Sequence, residues 1–469
     1  MHTPRRGRRA VVAGVMALAL VLLAGPAAAS FTTSSHTTYT DKETTALEGT
    51  TVPTTHTDVD NGGALGGPPT GVAVADFNLD GHDDVAVTTG NRFLAEEAWT
   101  FNDGVAVLYG AADGTLSRPV YYPLGGKEYS YGTSLVPRRI VEAGQRGAAD
   151  VVAEDLNGDT RPDLAVANSV TDSVSVLINT VINTGVGPVT ANDGNQSFAA
   201  PRHYPTGSSP RAVAAADLDG ATGVDLVTAN SGSGDVTLLH NQGQGTYPTD
   251  ASKAGHQTVS VGASPQDVAA GDLDGDSDQD EVVTANSGSD SVSRLLDGSG
   301  SANSYSIGSN PDKPKGVAIG DVDDDGDADV ATANFGSDDA SVLLNDGSGA
   351  LSTTADGSPY SVGLNPAAVV LAHLADSNDD NVVDDDGDVV DLAVANRGDD
   401  TVSVLGNNND THGDSTPRFQ SHATPDVGRS PVALAAGDFD RDAISDSDVD
   451  FDLVTGNGGS ADVTVLQNQ

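Results

Sequence analysis

The chain has 469 residues, with 22 lysines and arginines against 68 aspartates and glutamates, a net charge of −46 and no cysteine. A field of that sign repels nucleic acid and anionic membranes, so neither is an expected partner. With no cysteine there is no disulfide framework, and stability must come from a large core, bound metal ions or both.

The chain opens "MHTPRRGRRAVVAGVMALALVLLAGPAAAS". Arg5, Arg6, Arg8 and Arg9 precede an apolar run from Ala10 to Gly25, and Ala27-Ala28-Ala29 supplies an A-x-A cleavage pattern. This is the layout of a secretory signal peptide over residues 1–29, cut after Ala29, and it predicts an extracellular protein. The run is short for a spanning helix and no later stretch is apolar enough to cross a bilayer, so no membrane span is expected after cleavage. The paired arginines leave the twin-arginine export route open. With no cysteine after the run, a lipid anchor is not expected there. Cleavage removes four arginines and no acid, which takes the net charge from −46 to −50. Such acidity suits a surface kept soluble in high salt. Residues 30–60 are rich in Thr and Ser. They are expected to contribute a strand to the domain that follows, the alternative being a disordered stalk.

From residue 61 to 469 the chain repeats. The copies are "DFNLDGHDDVAVTTG" at Asp76, "DLNGDTRPDLAVANS" at Asp155, "DLDGATGVDLVTANS" at Asp217, "DLDGDSDQDEVVTANS" at Asp272 and "DVDDDGDADVATANF" at Asp321. A swollen sixth begins at His373 and a seventh, "DFDRDAISDSDVDFDLVTGN", at Asp438. Each is preceded by a short apolar run such as "GVAVAD" or "DVAAGD" and followed by "LAVAN" or "LVTAN". After a Gly/Ser/Asp turn come "SVSVLIN", "DVTLLHN" or "ASVLLND", then a run such as "TVSVG". Valine-rich runs of this length between Gly, Asn and Asp are strands, and no helical period is sustained. Four strands per unit and seven units predict an all-β fold, a seven-bladed β-propeller of four-stranded antiparallel blades. The chain ends on "DVTVLQNQ", the third strand of the seventh unit, so the fourth strand of that blade is expected from the N-terminal segment.

The acidic loop has a chemical reading. Oxygens at positions 1, 3 and 5 of a tight loop converge, a main-chain carbonyl at 7 can join them, and a carboxylate at 9 closes the shell. Calcium takes six to eight such hard oxygens, whereas zinc wants His or Cys, which the loops lack. Four copies fill all four positions: Asp76, Asn78, Asp80 and Asp84; Asp155, Asn157, Asp159 and Asp163; Asp272, Asp274, Asp276 and Asp280; Asp321, Asp323, Asp325 and Asp329. The seventh keeps Asp438, Asp440 and Asp442, with its closing acid displaced towards Asp452. About five calcium sites are therefore expected. The third copy has Ala221 at position 5 and is expected to be weak or empty, and the sixth starts on His373 and receives no assignment. The competing reading is that Asp, Asn and Gly merely make turns.

The unit "AVAAGDLDGDSDQDEVVTANSGSDSVSRLL" resembles the FG-GAP, or VCBS, repeat of the integrin α-chain N-terminal propeller and its bacterial secreted relatives. The resemblance extends from Gly71 to the C-terminus. It implies a seven-bladed propeller in which the loop between the first two strands of a blade binds calcium. It leaves the ligand open, because such folds serve adhesion receptors, sugar-binding proteins and accessory domains of enzymes.

Two insertions fall on the face opposite the acidic loops. They are "NRFLAEEAWTFND", with Trp99, and Gly126–Gly147, with Tyr129, Tyr131, Arg138 and Arg139. Aromatics and arginines are common recognition residues, so an extracellular glycan or protein surface is the expected partner, although hairpins packing on themselves would look the same. Arg397-Gly398-Asp399 spells an adhesion triplet, but a turn this rich in Gly and Asp produces it by chance. No H-E-x-x-H, G-x-S-x-G or phosphate-binding loop occurs. The chain is expected to be a binding or adhesion module and not an enzyme. The alternative is a carbohydrate-active lyase or glycosidase hidden among the carboxylates.

Overall fold

The computed structural model describes residues 65–90, 104–131, 138–143, 146–180, 198–296, 300–308, 312–352, 358–374, 390–407, 419–439 and 451–467, apart from 66, 113, 222, 277, 278 and 280. The signal-peptide and stalk expectations for residues 1–60, the Trp99 insertion, Asp280, Asp440 and Asp442 lie outside the described residues.

The chain forms seven antiparallel blades. Blade one is β1 (Pro69–Ala75), β2 (Asp84–Thr89), β3 (Gly104–Leu108) and β4 (Val120–Pro123), after which β5 (Gly126–Tyr131) and β6 (Arg138–Ala143) make a separate hairpin. Blade two is β7 (Ala148–Glu154), β8 (Asp163–Asn168), β9 (Ser173–Leu177) and β10 (Arg202–Pro205). Blade three is β11 (Pro210–Ala216), β12 (Asp225–Asn230), β13 (Asp235–Leu239) and β14 (His256–Ser260). Blade four is β15 (Pro265–Gly271), β16 (Glu281–Asn286), β17 (Ser291–Leu295) and β18 (Asn303–Ser306). Blade five is β19 (Pro314–Gly320), β20 (Asp329–Asn334), β21 (Asp339–Leu343) and β22 (Tyr360–Ser361). Blade six is β23 (Pro366–Ala372), β24 (Asp391–Asn396), β25 (Thr401–Asn407) and β26 (Phe419–Ala423). Blade seven shows β27 (Pro431–Gly437), β28 (Asp452–Asn457) and β29 (Asp462–Leu466) among the described residues.

Small side chains explain the packing. Every second strand is buried along its whole length, because it lies between two neighbouring blades. Valine and alanine keep those sheets close, and the β-branching of valine suits strands. Apolar clusters occupy the gaps between neighbouring blades, for example Val227, Leu238, Val268 and Val282 between blades three and four. The ring is closed: Val72 and Val85 of blade one share a cluster with Val454 and Val465 of blade seven. A Cβ on Gly437 would stand 2.6 Å from Val74 Cγ1, so a larger residue there would have to push Val74 aside at the contact between last and first blade. Leu65, 1% exposed, sits in that same cluster with Val463 and Val465 of β29. This is the region where a closing N-terminal strand was expected. No helix among the described residues is long and apolar enough to cross a membrane.

Asparagines sew the ring together, Asn179 and Asn407 fully buried and Asn241 partly so. Asn179 Nδ2 donates to Phe77 O of the preceding blade at 2.9 Å, Asn241 to Leu156 O at 2.8 Å and Asn407 to Val322 O at 2.8 Å. On the opposite face, turn aspartates accept backbone N–H groups from the next blade: Asp172 from Ser209, Asp338 from Asn365 and Asp400 from Ser430, each at 2.7 Å. Much of the Asp and Asn content is therefore inter-blade hydrogen bonding.

Candidate metal centres

Each innermost strand runs towards the acidic face and delivers position 1 of a loop at its end, and the next strand starts at the closing acid. The closing acid is the best-defined part of the loop. Asp84 accepts Phe77 N at 2.8 Å through one oxygen and Gly110 N at 2.8 Å through the other. Asp163 does the same with Leu156 N and Asn179 N at 3.1 and 2.6 Å, and Asp329 with Val322 N and Asn345 N at 3.0 and 2.8 Å. All three are fully buried. Burial first, and the neighbouring loop aspartates after it, push Asp84 up to about 8, Asp163 to about 7 and Asp329 to about 8. A divalent cation beside such a group would offset both the lost hydration and the like-charge repulsion.

The same bracket exists in the two loops that received no ligand assignment. Asp225 accepts Leu218 N at 3.2 Å and Asn241 N at 2.6 Å, and Asp391 accepts Leu374 N at 2.9 Å and Asn407 N at 2.8 Å. In blade seven Asp452 takes Phe439 N at 3.0 Å, the position assigned to the displaced acid. In blade four the pairing of Gly271 with Glu281 puts Glu281 at the register held elsewhere by the closing aspartate. Glu281 accepts Leu273 N at 2.8 Å, so the bracket falls one residue beyond Asp280 because this loop is one residue longer.

Positions 1, 3 and 5 behave differently from loop to loop. Among the described residues, Asp272, Asp274 and Asp276 bring one carboxylate oxygen each within 4.8 Å of one another, and so do Asp321, Asp323 and Asp325. An Asp321 oxygen is buried with no hydrogen-bond partner, and Asp323 is pushed up to about 7 by burial and then by Asp325 and Asp321. A buried acceptor without a donor, facing two more carboxylates, fits a hard cation such as calcium. In blade one the residues are more self-satisfied: Asp76 accepts Asp80 N and Gly81 N at 3.1 and 2.8 Å, and Asn78 Nδ2 donates to Asp80 at 3.0 Å. In blade two Asp155 accepts Gly158 N, Asp159 N and Thr160 N, Asn157 Nδ2 donates to Asp163 at 3.1 Å, and Arg161 pairs with Asp159. Asp438 donates its N–H to Asp83 of blade one at 3.0 Å, which ties loop seven to the ring closure. Blade three gathers Asp219, Asp225 and His240, a group that the loop spacing alone does not reveal.

The innermost strands surround a central cavity of about 690 Å³. Asp150 and Asp267 line it, each accepting a backbone N–H from another blade, Val213 N at 3.1 Å and Val317 N at 2.9 Å. Burial, and for Asp150 the charge of Asp267 after it, raises them to about 7 and about 6. Three cations influence one another at the far end of the strands. Lys315 lies 4.2 Å from the centre of the Phe335 ring, and burial followed by the charges of Arg397 and Arg211 lowers its pKa. The Arg397-Gly398-Asp399 triplet is a tight turn in which Asp399 accepts Leu364 N at 2.6 Å.

No protein-family model matches the chain, and no curated protein matches it. Solved structures of similar shape include a virginiamycin B lyase from Staphylococcus aureus, at 10% identity and TM-score 0.49, over 86% of this chain and 96% of that one. BBS1N in complex with ARL6DN is similar at 12% identity and TM-score 0.49, over 87% of this chain and 93% of that one. A candidate 6-phosphogluconolactonase from Bacteroides uniformis follows at 12% identity and TM-score 0.48, over 78% and 87%. Enzymes thus occur among the neighbours, but at these values the likeness is one of shape.

Proposed function

We propose that the protein is a secreted, calcium-stabilised propeller of the FG-GAP/VCBS type that acts as a non-catalytic extracellular binding module. The observation that carries the calcium reading is the triad Asp321, Asp323 and Asp325, whose oxygens lie within 4.8 Å of one another and include a buried one without a donor. Asp272, Asp274 and Asp276 repeat it one blade earlier. The ligand sites are folding elements on this reading, since the same loops bracket adjacent strands.

Binding belongs to the opposite face. Arg211, Lys315 and Arg397 lie at the far end of the inner strands among turn aspartates such as Asp172, Asp338 and Asp400, and the β5–β6 hairpin is also inserted there. Arginines there, with Trp99 and Tyr129 on the same side in sequence order, suit a glycan or a protein surface. A glycan array probed with the mature chain in calcium tests this. Specific glycan hits support it, and an array without hits, together with turnover of a polysaccharide, would favour an enzyme.

A further inference from the structure

Blade three departs from its siblings twice, and the two departures meet. Ala221 removes the oxygen at position 5 of the loop. The residue just before the asparagine that follows the third strand is Ile178 in blade two, Leu344 in blade five, Gly406 in blade six and Gln467 in blade seven, but His240 in blade three. Its imidazole reaches back over the loop: Nδ1 lies 2.9 Å from Asp225 Oδ2 and 3.4 Å from Asp219 Oδ2. The three ligand atoms all fall within 4.8 Å of one another. A further observation comes from position 1, where an Asp217 oxygen is buried and has no hydrogen-bond partner.

We infer that blade three holds a transition-metal site of the zinc class, built from His240 Nδ1, Asp219 and Asp225, with the fourth position open to water. An imidazole with two carboxylates is the wrong set for calcium, which prefers oxygen alone, and a suitable one for zinc. The spacing agrees. Zinc bonds of about 2.0–2.2 Å place tetrahedral ligand atoms roughly 3.3–3.5 Å apart; Nδ1 stands at 3.4 Å from Asp219 Oδ2, and its 2.9 Å hydrogen bond to Asp225 Oδ2 would open by about half an ångström to admit the ion. Ligation through Nδ1 leaves the imidazole proton on Nε2. Asp219 and His240 are partly solvent-exposed, with side-chain exposures of 35% and 20%, so an ion can enter from the acidic face, while Asp225 at 1% anchors the site to β12. The competing arrangement is an imidazolium that neutralises Asp219 and Asp225 with no metal. Both satisfy the carboxylates, but only the metal site binds zinc.

The test is calorimetric titration of zinc into the full mature chain, with millimolar calcium present so that the oxygen loops cannot compete. One zinc per chain is expected. His240→Leu, which installs the residue found at Leu344, should weaken binding by about tenfold or more, and Asp219→Asn, a partly exposed position, should also weaken it. Cobalt soaked into the same site should show the visible absorption of a tetrahedral ion, lost in both variants. Far-ultraviolet circular dichroism must show that the variants are folded. If the parent chain takes up no zinc, or if folded His240→Leu binds it as tightly as the parent, the site is an internal ion pair and the assignment is wrong. Because calcium is saturating throughout, this outcome is independent of the calcium reading of the other loops.

Discussion

Asn407→Ala isolates the hydrogen bonds that join one blade to the next. Asn407 is fully buried, and its Nδ2 donates to Val322 O of blade five at 2.8 Å and to Val390 O at 3.2 Å. Alanine leaves both carbonyls without that donor in a dry interface. Two lost neutral hydrogen bonds and the penalty for stranded acceptors together cost about 2–4 kcal/mol. The strands span roughly 400 residues. At about 2 cal/mol/K per residue the unfolding entropy is about 0.8 kcal/mol/K, so the melting temperature should fall by about 3–5 °C. Differential scanning calorimetry in calcium reads this directly. Asn241→Ala repeats the experiment between blades two and three, where Nδ2 donates to Leu156 O at 2.8 Å and Val224 O at 2.9 Å. Shifts below about 1 °C in both variants would show that the staples do not hold the ring.

Other outcomes follow from the same geometry. Asp150 and Asp267 hold protons in the folded state up to about 7 and about 6, whereas an ordinary aspartate releases its proton near 3.8. Their contribution is therefore most favourable below the ordinary value and is lost as pH rises through about 6 to 7. In saturating calcium, Asp150→Asn should flatten the decline of melting temperature from pH 4 to 8, and an unchanged slope contradicts that role. Asp325→Asn should lower bound calcium by one ion per chain in equilibrium dialysis, against no change if loop five does not bind. Trp99→Ala and Tyr129→Ala should weaken binding to any glycan found on the array while leaving calcium-dependent melting intact, and normal binding by both would move the ligand away from that face.

Period and composition made the propeller legible. Seven acidic loops, each after a Val/Ala run and five of them before a "TAN" or "VAN" run, placed the inner two strands of every blade, and the structure keeps those strands. The loops were less legible, because one residue type serves two purposes. Asp163 is a ligand candidate by spacing, and both its oxygens also hold backbone N–H groups, Leu156 N and Asn179 N. Spacing likewise pointed to Asp280, while strand pairing puts Glu281 in the bracket. Asp391 was hidden by the length of the sixth loop. The asparagine staples were visible in "SVSVLIN" and "ASVLLND", but their partners lie one blade back and some 70 to 100 residues away, at Phe77 and Leu273. His240 had no local signal at all: it meets Asp219 and Asp225 only because the third strand returns to the acidic face.

The central claim is that calcium holds the propeller together, and the melting temperature of the mature chain in excess calcium and in excess chelator tests it most directly. Extracellular calcium modules bind at about 0.1–1 mM, and calcium at tenfold above that constant adds about 1.4 kcal/mol per site. The two acid triads alone then contribute about 3 kcal/mol, or about 3–4 °C, and five sites about 7 kcal/mol, or about 8–9 °C. A fall in that range is expected on chelation, reversed by adding calcium back. Superimposable melts in calcium and chelator would contradict it and leave the acidic loops as turns.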